Sequence, residues 1–236
     1  MFMTSPDEIA TIRVQTRLEY RLEREPAAHG ASTPEYCGIC DPLTGFTSIM
    51  TTSLRNNLQD VTDFYRDVAG DHLPAIVFVR PFESQAGHPA NSTLKAYEDF
   101  VMDLVSRVQS NPSLWAKTAI LVTVDEGGGY YDSGYIQPID FFGDGTRIPL
   151  IAASPFAKRG HVDHTYADHV SILKFIEHNW DLPQLSTRSR DNLPNPTMRE
   201  DNPYVPVNSP AIGDLMTLFD FDHAGDDGGE AESQGG

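Results

Sequence analysis

Asp125 and Glu126 are adjacent carboxylates, followed at once by Gly127, Gly128 and Gly129 and preceded by the apolar run Ala119-Ile120-Leu121-Val122-Thr123-Val124. Neighbouring acids repel each other. Buried close together, one would take up a proton unless a cation stood between them, and a divalent metal with oxygen ligands removes that conflict. Three glycines let the backbone approach a ligand closely and leave N–H groups exposed to an anion. A phosphate ester beside a metal satisfies both requirements. The plain alternative is a solvent-exposed turn with incidental acids, and spacing alone leaves the two open.

Other groups able to do chemistry are scattered along the chain. His161, His164 and His169 gather with Asp163 and Asp168. Such a cluster could hold metal, since His164 and Asp168 have the one-turn spacing of a shared helix face. The simpler account makes Asp168 the cap of a helix starting near Val170, with His164 and His169 bonded to backbone around the loop. Glu83 and Asp132 are either ordinary loop acids or groups that orient a catalytic partner. Cys37 and Cys40 form a single C-x-x-C with no second cysteine pair or H-x3-H to complete a zinc site, so a local disulfide or two free thiols is expected.

These residues must be positioned by elements that the apolar pattern reveals. Residues 73–79 and 119–124 are short continuous apolar runs, of the kind buried on both faces of a parallel sheet. Between them Leu94, Tyr97, Val101, Leu104, Val105 and Val108 recur at helical spacing behind the possible caps Asn91 and Ser92, and the pattern stops at Asn111-Pro112. Strand, helix, strand in that order predicts a right-handed crossover in a parallel sheet. A third strand over 148–153 and a helix near Val170 to Trp180 extend a layered α/β architecture. Asp125 and Glu126 then stand at the carboxyl end of a buried strand, where open α/β sheets place their ligand sites.

The remaining segments set limits. Residues 11–22 alternate apolar and polar as a half-buried strand would, while their Arg and Glu content also permits a helix. Residues 26–34 read as a linker, and the acidic, Gly-rich stretch from Asp220 as a disordered tail. A length of 236 residues with no sharp change in composition suits one domain. With 34 acidic against 17 basic residues, the net charge of −17 repels nucleic acid and anionic membranes as bulk partners. No apolar run reaches the roughly 20 residues of a transmembrane helix, and the first residues lack the basic and apolar regions of an export signal.

Three blocks carry a resemblance. Residues 115–132 (WAKTAILVTVDEGGGYYD), 147–157 (RIPLIAASPFA) and 168–177 (DHVSILKFIE) look like consecutive blocks of the bacterial phosphoesterases that include phospholipases C and acid phosphatases. The resemblance runs from about Tyr36 to about Leu218. It implies an alkaline phosphatase-like fold of layered, parallel type, incomplete at its N-terminal side. The divisions it suggests are a poorly matched segment over 1–35, the C-terminal part of a catalytic domain over 36–219, and the tail over 220–236.

Carried over position by position, the resemblance makes Asp125 and Glu126 ligands of a divalent metal ion whose identity stays open. His88 in Gly87-His88-Pro89-Ala90 becomes the histidine that reaches the phosphate, stabilising charge or protonating the leaving oxygen. The implied substrate is a phosphate ester or phospholipid, and intact relatives are expected to be secreted or periplasmic. Departures accompany the matches. The family's Glu-Asn pair, which supplies further metal ligands, has no counterpart in this sequence, and the hydroxyl nucleophile belongs to a region these blocks do not replace. The expectation is a fragment missing the N-terminal half of its active site. The alternative is a catalytically silent acidic domain that binds a divalent cation or a protein partner, and a sulfatase or phosphomutase relative would use similar ligands.

Overall fold

A computed structural model describes residues 2–4, 20–21 and 42–222. The Cys37–Cys40 motif, the 26–34 linker and the tail beyond Asp222 lie outside the described residues. So does the 11–22 segment, apart from Tyr20–Arg21.

The main sheet has four strands in the order β4-β1-β5-β6, namely Ile76–Val77, Phe2–Thr4, Thr118–Thr123 and Leu150–Ala153. A separate pair joins β2 (Tyr20–Arg21) in parallel to β3 (Leu58–Gln59). The helices are α1 (Thr47–Met50), α2 (Val61–Ala69), α3 (Leu94–Gln109), α4 (Pro112–Trp115) and α5 (His169–Asn179). An α/β chain is what the apolar runs predict, but the strand pairing departs from the parallel sheet expected.

Every pairing within the four-stranded sheet is antiparallel. β4 and β5 do run in the same direction, joined through α3 as a crossover requires. They are not neighbours, because β1 lies between them with Phe2 opposite both Val77 and Ile120. Three residues at the start of the chain thus satisfy backbone donors and acceptors that two separated strands would leave open. The link from β5 to β6 contains no helix, so the chain turns back, and β6 pairs antiparallel with Thr123 opposite Leu150. A parallel return would have needed a crossover element there.

Layering follows from the two-residue period of β5. Ile120 joins Val61, Phe64 and Val68 of α2, Phe100, Leu104 and Val108 of α3, Leu114 of α4 and Val77 of β4 in one buried cluster. Ala119 and Leu121 face the other way, into a cluster with Phe175 and Ile176 of α5, Leu215 and Phe219. Helices therefore cover both faces of the sheet, which is why the 119–124 run carries no polar alternation.

The helix limits match their capping chemistry. Thr93 rather than Asn91 or Ser92 caps α3, accepting from the Ala96 amide at 3.1 Å. Asn111 then caps α4 with Pro112 in its first turn, where a missing N–H costs nothing. Asp168 forms a capping box with Ser171 at the start of α5.

Candidate functional site

The carboxyl end of β5 is held from two sides. Thr123, the last residue paired with β6, accepts a hydrogen bond at its carbonyl from the Tyr97 hydroxyl of α3 at 2.9 Å. One residue on, the Val124 carbonyl lies 2.9 Å from Nε2 of His169, the first residue of α5. A carbonyl can only accept, so the imidazole donates and Nε2 carries the hydrogen. Burial pushes the Tyr97 phenol above its ordinary pKa, which keeps it a neutral donor.

Asp125 and Glu126 follow immediately, and both are exposed. Glu126 folds one oxygen back onto the Gly128 amide at 2.7 Å. Gly128 and Gly129 adopt φ values of 64° and 74°, a region that side chains disfavour, so the turn needs its glycines. Thr146, returning toward β6, packs directly on Gly127, where a methyl group would collide with its Oγ1.

The His88 loop reaches the same place. Gly87, at φ 77°, stands against the Tyr97 ring, where a methyl group would meet Tyr97 Cβ at 3.1 Å. Pro89 abuts the glycine turn, its Cγ 3.3 Å from where a methyl on Gly128 would sit. Ser92 closes the loop by accepting from the Gly87 amide at 2.7 Å. His88 itself is exposed, and its Nδ1 accepts from the Ala90 amide at 3.2 Å. That bond leaves the hydrogen of a neutral imidazole on Nε2, the atom free to donate outward. Glu83 accepts from Nδ2 of Asn91, steadying the loop that carries His88.

The other candidates separate. Asp132 pairs with Arg147, whose Nη2 lies at 2.6 Å, and also accepts from the Arg147 and Gly134 amides. The guanidinium and these amides hold its carboxyl well below the usual range. Asp168 caps α5 and His169 bonds backbone. Asp163 accepts from Thr165 and Thr217. His164 meets Tyr204 edge-on, ring centroids 4.9 Å apart. Among the described residues no group of three or more His, Cys, Asp or Glu gathers as a metal site. Asp125 and Glu126 offer the oxygens that a hard divalent cation takes. Among the described residues no third His, Cys, Asp or Glu joins them.

Several polar residues were not singled out by spacing. Arg190 donates to Asp140 at 2.8 Å, to the Gly143 carbonyl at 2.6 Å and to the capping Asp168 at 3.0 Å, tying the β5–β6 loop to the start of α5. Tyr166 donates to Asp144 at 2.8 Å and accepts from the Gln137 amide at 3.0 Å. Tyr97 was legible only as a core-facing helix position. Its true partner is a backbone carbonyl, and a carbonyl leaves no mark on residue type.

Acids and glycines thus stand at the carboxyl end of an interior strand, in a sheet that helices cover on both faces. The chain belongs to the phosphoesterase family, which it matches over residues 28–183. It is 31% identical over 191 residues to the hemolytic phospholipase C of Pseudomonas aeruginosa, covering 70% of this chain and 23% of that protein. Phospholipase C B of Mycobacterium tuberculosis is 28% identical over 186 residues, 67% of this chain and 32% of that protein. The acid phosphatase of Aspergillus niger is 28% identical over 166 residues, 68% of this chain and 37% of that protein. The chain thus spans between 23% and 37% of the length of these relatives.

Proposed function

We propose that this chain serves the hydrolysis of phosphate esters, of the phospholipase C or acid phosphatase type. One juxtaposition carries the reading: an interior strand in a phosphoesterase-family chain ends in an exposed acid pair, and the His88 loop packs on the glycines that follow. Asp125 and Glu126 supply two ligands to a divalent cation, which would neutralise charge on the phosphoryl oxygens. His88 offers Nε2–H to a phosphoryl oxygen as negative charge accumulates, or gives that proton to the departing alcohol oxygen as its bond to phosphorus breaks. The glycine turn admits a phosphate close to backbone without side-chain obstruction.

We further infer that the attacking hydroxyl and the remaining cation ligands come from sequence outside this chain, since the relatives are far longer. The helices on both faces, and the common direction of β4 and β5, support an alkaline phosphatase-like arrangement. A second reading, a silent acidic domain that binds a cation or a protein, is favoured by the lack of a third His, Cys, Asp or Glu beside the acid pair among the described residues.

The chain expressed with sequence that extends it to the length of its relatives separates the two. Hydrolysis of p-nitrophenyl phosphate or p-nitrophenylphosphorylcholine by that longer protein that disappears in Asp125→Asn supports the hydrolase. No turnover from the longer protein, normally folded and with divalent metal supplied, supports the silent domain.

A further inference from the structure

We propose that Tyr97 and His169 are positioning residues, which together fix the strand end that presents Asp125 and Glu126. The proposal rests on the reading of that pair as cation ligands. The two donors reach successive carbonyls, Thr123 and Val124, each at 2.9 Å. They come from helices on opposite faces of the sheet, α3 in the cluster around Ile120 and α5 in the cluster around Leu121. In an extended strand successive carbonyls point to opposite edges, so the two bonds fix both the position and the twist of the backbone at the point where the β6 ladder has run out.

Each donor is itself anchored. Tyr97 underlies Gly87, so the same ring that steadies the acid pair also seats the loop of His88. His169 begins a helix whose cap, Asp168, is gripped by Arg190, and Arg190 holds the β5–β6 loop through Asp140 and Gly143. Neither residue is placed against the reacting atoms. Their effect passes through backbone, as do the partners that orient metal ligands from behind, whose loss weakens metal affinity about 10- to 100-fold.

The test is the dissociation constant for Mn2+ measured by electron paramagnetic resonance on the whole chain, with a thermal melt of each variant. Asp125→Asn should abolish or strongly weaken binding. Tyr97→Phe keeps the ring on Gly87 and removes only the hydroxyl, and His169→Leu removes the donor; each should weaken Mn2+ about tenfold while the melt stays cooperative. His169→Gln, which restores an N–H donor, should recover most of the loss. Wild-type affinity in Tyr97→Phe and His169→Leu, or equal losses in His169→Leu and His169→Gln, would overturn the positioning role while Asp125→Asn still reports the site. A chain that does not bind Mn2+, or binds it equally well as Asp125→Asn, removes the cation reading and the positioning role with it.

Discussion

The strand end at Asp125 and the ground around α5 use polar residues in opposite ways. At the strand end the acids and His88 lie exposed on glycine-rich loops, and their hydrogen bonds to neighbours occupy only part of their capacity. Around α5, Lys174 donates to Leu193 O, Ile212 O and Asn195 Oδ1, each within 2.8 Å. Gln137, with no solvent exposure, both donates to the Ala211 carbonyl and accepts from its amide. Committed polar groups hold the fold, and uncommitted ones remain available to a ligand. The contrast teaches that substitutions around α5 should change stability, whereas those at the strand end should change binding alone.

The largest effect expected is at Phe175, which is 2% exposed and packs on Phe219 with ring centroids 4.9 Å apart. Phe175→Ala should destabilise the chain by about 3–5 kcal/mol, read as a lowered denaturant midpoint. Retention of the wild-type midpoint would show that this cluster does not support the sheet.

Next comes Glu177, whose carboxyl lies beside Asp191 beneath α5. Burial, then the hydrogen bond and repulsion of Asp191, push its pKa from 4.5 up to about 7. Burial also works upward on Asp191, but hydrogen bonds from Ser189 and the Leu185 amide outweigh it and leave that group lowered. Between pH 4.5 and about 7 the folded chain holds a proton on Glu177 that the unfolded chain releases. Stability from this group is therefore complete below pH 4.5 and is lost as pH rises through about 7. The lowered Asp191 acts oppositely, but in the more acidic range. Glu177→Gln keeps a donor toward Asp191 and removes the titration. Its unfolding free energy should exceed wild type at pH 8 and converge with it near pH 4.5; a wild-type slope between those values would refute the shared proton.

A smaller effect is expected at Asp168. Its carboxyl accepts from the Val170 amide at 2.8 Å and the Ser171 amide at 3.3 Å, and it also receives Arg190. Asp168→Ala should cost about 1–2 kcal/mol in denaturant unfolding. Because α5 also delivers His169, Mn2+ affinity should fall modestly in the same variant. A stability loss without any change in affinity would break the link between cap and site.

How far the sequence discloses all this depends on what kind of partner each residue has. Apolar runs announced β5 and α3 because burial on both faces, or on one helical stripe, leaves a periodic trace. The Asp168 cap was legible for the same reason: residue type and position before an apolar helix define it. Strand direction was not, since β1 is only three residues long, Phe2–Thr4, and neither its insertion between β4 and β5 nor the helix-free return to β6 alters hydrophobic periodicity. Within the site, Asp125, Glu126 and His88 stood out through a glycine context and a family resemblance. Tyr97 and Arg190 did not, because their partners are carbonyls and acids between 22 and 50 residues away. Helical spacing placed Tyr97 correctly on the inner side of α3 and then had nothing more to say about its hydroxyl.

The smallest stability effect sharpens the comparison most. Glu126 is exposed, and its single described bond is to the Gly128 amide at 2.7 Å. Gln can accept the same bond through its amide oxygen, so Glu126→Gln should move stability by no more than about 0.5 kcal/mol, as exposed substitutions away from structural bonds do. Removing one of two neighbouring negative charges should if anything favour the apo fold slightly. The same substitution removes a carboxylate from the proposed cation pair, so Mn2+ binding should weaken well beyond tenfold. Stability and affinity thus diverge at Glu126 as they would not at Glu177 or Phe175. An unfolding midpoint that drops by several kcal/mol in Glu126→Gln would place this acid with the committed groups around α5 and dissolve the distinction between the two regions.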